Sequence, residues 1–151
     1  MNLTFEIIDR YIEAHDASGL LYAPLGQPLT YRATRRYEFD VEGESERVED
    51  FVRHTLLDEV SQEMHAGESP GLEGFQFALD YGMKPGALDL EKEAVVNFYR
   101  GLTDPGFTLR SLTIRQRIYL FGEGTVEPSR FIRDICNPAI HQWNVIESAH
   151  A

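Results

Sequence analysis

The sequence predicts an α+β fold of the ferredoxin-like kind, one antiparallel sheet with two helices on one face. Three observations predict it. Phe75, Phe77, Leu79 and Tyr81 alternate with Gln76, Ala78 and Asp80, which is strand periodicity. Leu88, Ala94, Val95, Phe98 and Leu102 follow near helical spacing. A second alternation, a second short helical stripe and a closing alternation come after them, giving the order β-α-β-β-α-β over about residues 74–147.

Each element has a local cause. Met83-Lys84-Pro85-Gly86 ends the first strand. Asp89 is a good helix N-cap, and Glu91 and Glu93 lie in the first turn, where the helix dipole favours negative charge. The helix runs to about Leu102 and stops at Thr103-Asp104-Pro105-Gly106, a turn in which Pro fixes φ and Gly accepts positive φ. Leu112, Ile114, Ile118 and Leu120 share one parity and are interrupted by Arg115-Gln116-Arg117. That pattern reads as two strands joined tightly or as one long bent strand. Gly122 and Gly124 end the run. Pro128 then suits a first helical turn, and Phe131, Ile132 and Ile135 give the short helix its stripe. Asn137-Pro138 stops that helix, because a residue before proline avoids the α region. Trp143 and Val145 alternate with Gln142 and Asn144 as a closing strand.

The N-terminal half is less regular. Tyr37, Phe39 and Val41 place strand within residues 30–41, and Val48, Phe51, Val52, Leu56 and Val60 predict a helix over 46–64. Residues 1–13 fit two periods: Leu3, Phe5 and Ile7 suit a strand, while Phe5, Ile8 and Ile12 suit a helix. Residues 66–74, AGESPGLEG, are the best linker candidate. The domain reading is therefore 1–68, a shortened strand/helix unit, and 69–151, the βαββαβ unit. A faint internal repeat links them. Arg36-Tyr37-Glu38-Phe39 resembles Arg117-Ile118-Tyr119-Leu120, and Phe51-Val52-Arg53 matches Phe131-Ile132-Arg133. A tandem pair, or pseudo-dimer, is one explanation; chance similarity between two strand–turn–helix units is the other.

The 151 residues include 14 Lys+Arg against 25 Asp+Glu, a formal charge of −11. Such acidity argues against nucleic acid, whose affinity rests on cations neutralising phosphates. No apolar stretch approaches the roughly 18–20 residues that span a bilayer, so no membrane partner is expected. The start, MNLTFEIIDR, has neither a basic leader nor an apolar stretch of signal-peptide type. One cysteine, Cys136, cannot form an internal disulfide, and a reducing cytoplasm is the expected compartment.

Little in the chain reads as reaction chemistry. Cys136 beside Ile135 reads as a buried, inert thiol. His15, His54, His65, His141 and His150 have no paired metal spacing. His54 and Asp58 read as a solvated pair one helical turn apart, and Asp58, Glu59 and Glu63 as an acidic helix face rather than a metal site. Residues 101–106 match no phosphate-loop pattern. The clusters Arg32/Arg35/Arg36 and Arg115/Arg117 are either contacts for an acidic partner or charges guarding strand edges. Trp143 reads as a core aromatic. No catalytic residue, metal or cofactor is expected.

Two segments carry a family resemblance. Leu88-Asp89-Leu90-Glu91-Lys92-Glu93-Ala94-Val95 and Ile135-Cys136-Asn137-Pro138-Ala139-Ile140-His141-Gln142-Trp143-Asn144-Val145 resemble the PurS family, the small subunit of phosphoribosylformylglycinamidine synthase. The family's apolar-Arg-apolar-Gly-Lys-apolar turn stands here as Leu112-Thr113-Ile114-Arg115-Gln116-Arg117-Ile118. Leu90 replaces the family's Pro, Lys92 its Gly and Arg115-Gln116 its Gly-Lys, so any role of the turn lysine does not carry onto Gln116. The N-terminal half is similar to the N-terminal domain of the single-chain synthase, which looks like two PurS-like units fused. The resemblance implies a non-catalytic subunit that bridges a glutaminase and a synthetase, assists ammonia transfer and forms a homo-oligomer. Asp89, Arg115, Arg117, Asn137, Pro138, Ile140 and Trp143 are then partner-contact or architectural candidates. The alternative expectation is a regulatory domain of ferredoxin-like fold that binds a small metabolite through Arg115 and Arg117.

Overall fold

The computed structural model describes residues 1–11 and 13–148. Their elements run β1 (Asn2–Asp9), β2 (His15–Asp16), a 3-10 turn (Ala17–Leu20), β3 (Thr30–Gly43), α1 (Ser45–Thr55), β4 (Gln62–Ala66), β5 (Phe77–Met83), α2 (Leu90–Arg100), β6 (Phe107–Phe121), α3 (Pro128–Ile135) and β7 (His141–Glu147). The fold is mixed α+β. Its seven strands form an antiparallel sheet in the order β4-β1-β3-β6-β5-β7, with β2 paired to β3.

The chain forms two compact units. The first contains 1–11, 35–71 and 88–114; the second contains 12–34, 72–87 and 115–151. Each draws on both halves of the sequence, so the expected boundary at 68/69 separates neither. The linker candidate 66–74 does carry the chain from the first unit to the second. It is also pinned: Thr4 Oγ1 donates to Glu68 Oε1 at 2.8 Å, and Gly71 N–H donates to Glu6 Oε1 at 3.1 Å.

In the first unit, Phe5, Ile7, Tyr37, Phe39 and Val41 of the sheet pack with Val48, Phe51 and Val52 of α1 and Val95 of α2. Phe51 lies at the centre, its ring 5.7–6.3 Å from those of Phe39, Phe98, Tyr99 and Phe107. β1 is the strand of the two readings that residues 1–13 allowed; Ile12, on which the helical reading leaned, lies outside the described residues. α1 ends at Thr55, well short of 64. Asp58 closes a turn there, its side chain accepting from Val60 N–H at 3.1 Å and its carbonyl from Gln62 N–H at 2.7 Å. Residues 62–66 then pair with β1. Leu56 and Leu57 still pack on the core, whereas Val60 is 78% exposed. Strand pairing has overridden a helical apolar period.

In the second unit, Phe77, Leu79, Ile118 and Leu120 pack with Phe131 and Cys136, and with Ala17 and Leu29. The opposite face is covered too, by Phe75, Ala78 and Tyr119 with Leu72, Phe121 and Ile146. The alternation in β5 thus marks two buried faces, not one.

The described elements do not show the βαββαβ order. β6 is one continuous strand, the long-strand alternative, so residues 77–147 run β-α-β-α-β. The run from Phe107 to Phe121 contains no Gly or Pro, the residues a tight turn there would favour. Its interrupting charge has a place inside the sheet, because Arg117 stands directly opposite Asp80 of β5. Nor do α2 and α3 belong to one unit: α2 lies in the first, α3 in the second.

The same pairing scheme occurs twice. β1 pairs antiparallel with both β3 and β4, and α1 lies between those two in sequence. β5 pairs antiparallel with both β6 and β7, and α3 lies between those two. Matched in this way, Glu6 opposite Arg36 corresponds to Asp80 opposite Arg117. All four side chains are buried.

Candidate functional site

The densest polar construction in the second unit is built by β5 and β6. Arg117 is 0% exposed and Asp80 4%. Arg117 Nε donates to Asp80 Oδ1 at 2.5 Å, Nη2 to Oδ2 at 2.9 Å and Nη1 to the Tyr119 hydroxyl at 3.1 Å. The guanidinium carbon lies 5.6 Å from the Tyr119 ring centroid. Burial pushes the Arg117 pKa down, but the hydrogen bonds to Asp80 and Tyr119 outweigh it, and the net shift is upward. The cation is therefore permanent and internally held. Of the roles left open for Arg117, the geometry is that of an architectural residue. Arg115 is half-buried on β6.

The other arginine cluster is also largely engaged. Arg35 pairs with Glu91 at 2.6 Å, and buried Arg36 with Glu68 at 3.4 Å. Arg32 is half-buried on β3.

The segment from α2's start and the segment after α3 hold the remaining candidates. Asp89 caps α2, its carboxylate accepting from Lys92 N–H at 3.1 Å. Asn137 Oδ1 accepts from Ala139 N–H at 2.9 Å, a side-chain turn that carries the chain round Pro138. The Asn137 carbonyl accepts from Ile140 N–H and His141 N–H, at 3.0 and 2.7 Å. The Asn137 N–H donates to His141 Nδ1 at 2.9 Å. Asn137 is thus a turn residue, as its type suggests. Ile140 is 39% exposed and Trp143 37% exposed. The expectation of a core tryptophan is overturned. β7 ends the strand order, so among the described residues Trp143 has a sheet neighbour, Tyr81 of β5, on one side only.

Cys136 is buried, and burial raises its pKa, which keeps the thiol protonated. The His54–Asp58 helical pair does not form, because Asp58 lies beyond α1. Its carboxyl is held below the usual range by hydrogen bonds from its own turn, chiefly Val60 N–H. For the same reason Asp58, Glu59 and Glu63 share no helix face. Among the described residues, no three His, Cys, Asp or Glu side chains converge to hold a metal. His150 lies outside the described residues.

Among the described residues, two concavities stand out. One of about 580 Å³ in the second unit is lined by Gly74–Phe77, Thr125–Pro128, Glu147 and Ser148. One of about 360 Å³ in the first unit lies among Arg47, Phe51, His54, Phe98 and Leu102. Neither is lined by Arg115 or Arg117, the residues named for a metabolite.

Sequence reasoning missed an exposed stripe on α2. Leu90, Ala94 and Phe98 of α2, and Leu102 just past its end, lie at four-residue spacing and are exposed, while Val95 is buried. The signal was present: an 11-residue helix with apolar residues at 90, 94, 95, 96, 98 and 99 carries more than one core-facing stripe. Compared with family models, curated proteins and solved structures, the chain has no match in any of the three. No helix among the described residues is long and apolar enough to cross a membrane.

Proposed function

We propose that this chain is a non-catalytic bridging subunit of the PurS type. It would join the glutaminase and synthetase of phosphoribosylformylglycinamidine synthase, with residues 1–68 a second, degenerate copy of the unit that follows. The observation that carries this reading is the recurrence of one pairing scheme with a buried acid directly opposite a buried arginine, Glu6/Arg36 and Asp80/Arg117, at the matching register position. It agrees with the tandem reading of the sequence, in which the same arginines head the matched segments. The resembling segments also occupy positions where their motifs have a physical reason. Asp89 caps the helix after the first strand of its copy, and Asn137-Pro138 turns the chain from helix into closing strand.

A bridging role also suits the surface. Free ammonia would be protonated and diluted in water, so the two active sites must be held together and shielded. The exposed α2 stripe and the outer strands β4 and β7 offer apolar contact and open backbone ladders to protein partners. The polar clusters meanwhile are engaged in holding the fold. The 580 Å³ concavity is the feature that favours a metabolite-binding reading instead.

Co-purification tests the proposal. The chain, mixed with a glutaminase and a synthetase of the pathway in the presence of ADP and glutamine, should elute with both. Failure to bind either sinks it. A single small ligand that raises the melting temperature, with no protein partner, transfers support to the metabolite reading.

A further inference from the structure

We infer that β7 seats a second copy of this chain, paired antiparallel to its own β7 about a twofold axis at Asn144. The inference deepens the homo-oligomer element of the proposed function but draws only on the geometry of β7, so the two can fail separately.

β7 terminates the strand order, and among the described residues no strand pairs with its outer side. Its inner side is fixed by two bonds to β5's flanks: Lys84 N–H donates to Ile140 O at 2.7 Å, and Ser148 N–H to Gln76 O at 3.3 Å. Even-numbered residues therefore turn their backbone groups inward. By alternation, Trp143, Val145 and Glu147 turn theirs outward. Natural edge strands are usually blunted by Lys, Pro, a bulge or brevity. His-Gln-Trp-Asn-Val-Ile-Glu contains no Lys, Arg or Pro and is seven residues long.

Charge complementarity selects the occupant and the register. Pairing the strand with itself about Asn144 sets Trp143 against the partner's Val145, and Val145 against the partner's Trp143. These positions would exchange both backbone bonds, and aromatic–β-branched pairs are among the favourable cross-strand pairs. The same register sets His141 against the partner's Glu147 at both ends of the ladder. His141 is suited to that contact. Its Nδ1 accepts from Asn137 N–H, so in the neutral ring the proton is on Nε2, ready to donate to a carboxylate. The half-exposed Trp143 ring would then extend the apolar cluster that already includes Tyr81 and Val145. The other sheet edge is a weaker candidate: β4 has five residues, and its His65 ring is 3.1 Å from Ser69 Oγ within its own loop.

Sedimentation of the full chain over a concentration series tests this. The chain should dimerise. Trp143→Lys should weaken the dimer by about tenfold or more, because it replaces two cross-strand tryptophan–valine contacts with lysines, and sets two like charges at diagonal positions on one face of the ladder. Its circular dichroism and melting temperature should stay near those of the wild type, since the site is a solvent-facing edge. Asn144→Cys should form an intermolecular disulfide under mild oxidation, because a pair opposite each other without ladder bonds stands about 4.5 Å apart between Cα atoms. A wild-type chain that remains monomeric at every concentration overturns the inference. So does a dimer that tolerates Trp143→Lys and gives no cross-link at position 144, the result expected from pairing through β4 or the α2 stripe.

Discussion

Removing the Asp80 carboxylate is the sharpest test of how β6 remains one strand. Asp80→Ala takes away the group that faces two nitrogens of Arg117 at 2.5 and 2.9 Å, at a site where the arginine has no solvent contact. Breaking a buried pair by deleting one partner typically costs about 3–5 kcal/mol, because the remaining charge cannot be rehydrated. In a chain of this size each kcal/mol lowers Tm by about 2–4 °C, so a drop of roughly 6–20 °C is expected. Heating and urea unfolding, followed by circular dichroism, would read it. The paired change Asp80→Leu with Arg117→Met should recover most of the loss, since both charges then leave together. Glu49→Ala supplies the control. Its pair with Arg53 is an exposed i,i+4 contact at 3.2 Å, and its loss should cost less than about 0.5 kcal/mol. The reasoning is refuted if Asp80→Ala costs no more than the Glu49 control, or if the double variant is no better than the single.

Phe51→Ala should cost about 3–5 kcal/mol in the same assay, because buried Phe51 lies against four aromatic rings, those of Phe39, Tyr99 and Phe107 within the core and that of half-exposed Phe98 at its rim. A loss near that of a surface substitution would show that the cluster is not packed as described. Gly43→Ala should destabilise by about 1–3 kcal/mol. Its φ is +122°, and a Cβ there would meet the Phe107 Cα at 2.8 Å and the Gly106 carbonyl at 2.9 Å, both backbone atoms. Stability equal to the wild type would refute that strain. Cys136 should alkylate slowly in the folded chain at neutral pH and rapidly in denaturant, because burial both shields the thiol and raises its pKa. The folded-state rate should climb only as the pH rises above the ordinary thiol range. Equal labelling of folded and unfolded protein would contradict this.

Much of the fold was legible because its causes are local. Asp89 and Pro128 announced helix starts, and Asn137 before Pro138 announced a stop; all three act within a few residues of the backbone they control. The strands at 30–43 and 77–83 were visible in their alternation. The errors share one origin, a partner distant in sequence. Residues 56–64 have helical spacing but yield to pairing with β1. The choice that Arg115-Gln116-Arg117 left open, two strands or one long strand, likewise waited on Asp80, 37 residues away, which accepts Arg117. Trp143 has the composition of a core residue but stands on an outer strand.

The sequence by itself determined the α+β class, most element positions and the burial of the cysteine. Period, caps and breakers depend only on neighbours along the chain. The tertiary structure alone decided that β6 is unbroken, that the sheets of both units bury an acid and an arginine at matching register positions, and which apolar side chains stay in solvent. Those outcomes depend on which strands lie beside one another. Whether a charge can be buried or an aromatic exposed is settled by the groups opposite it, and chain order does not name them.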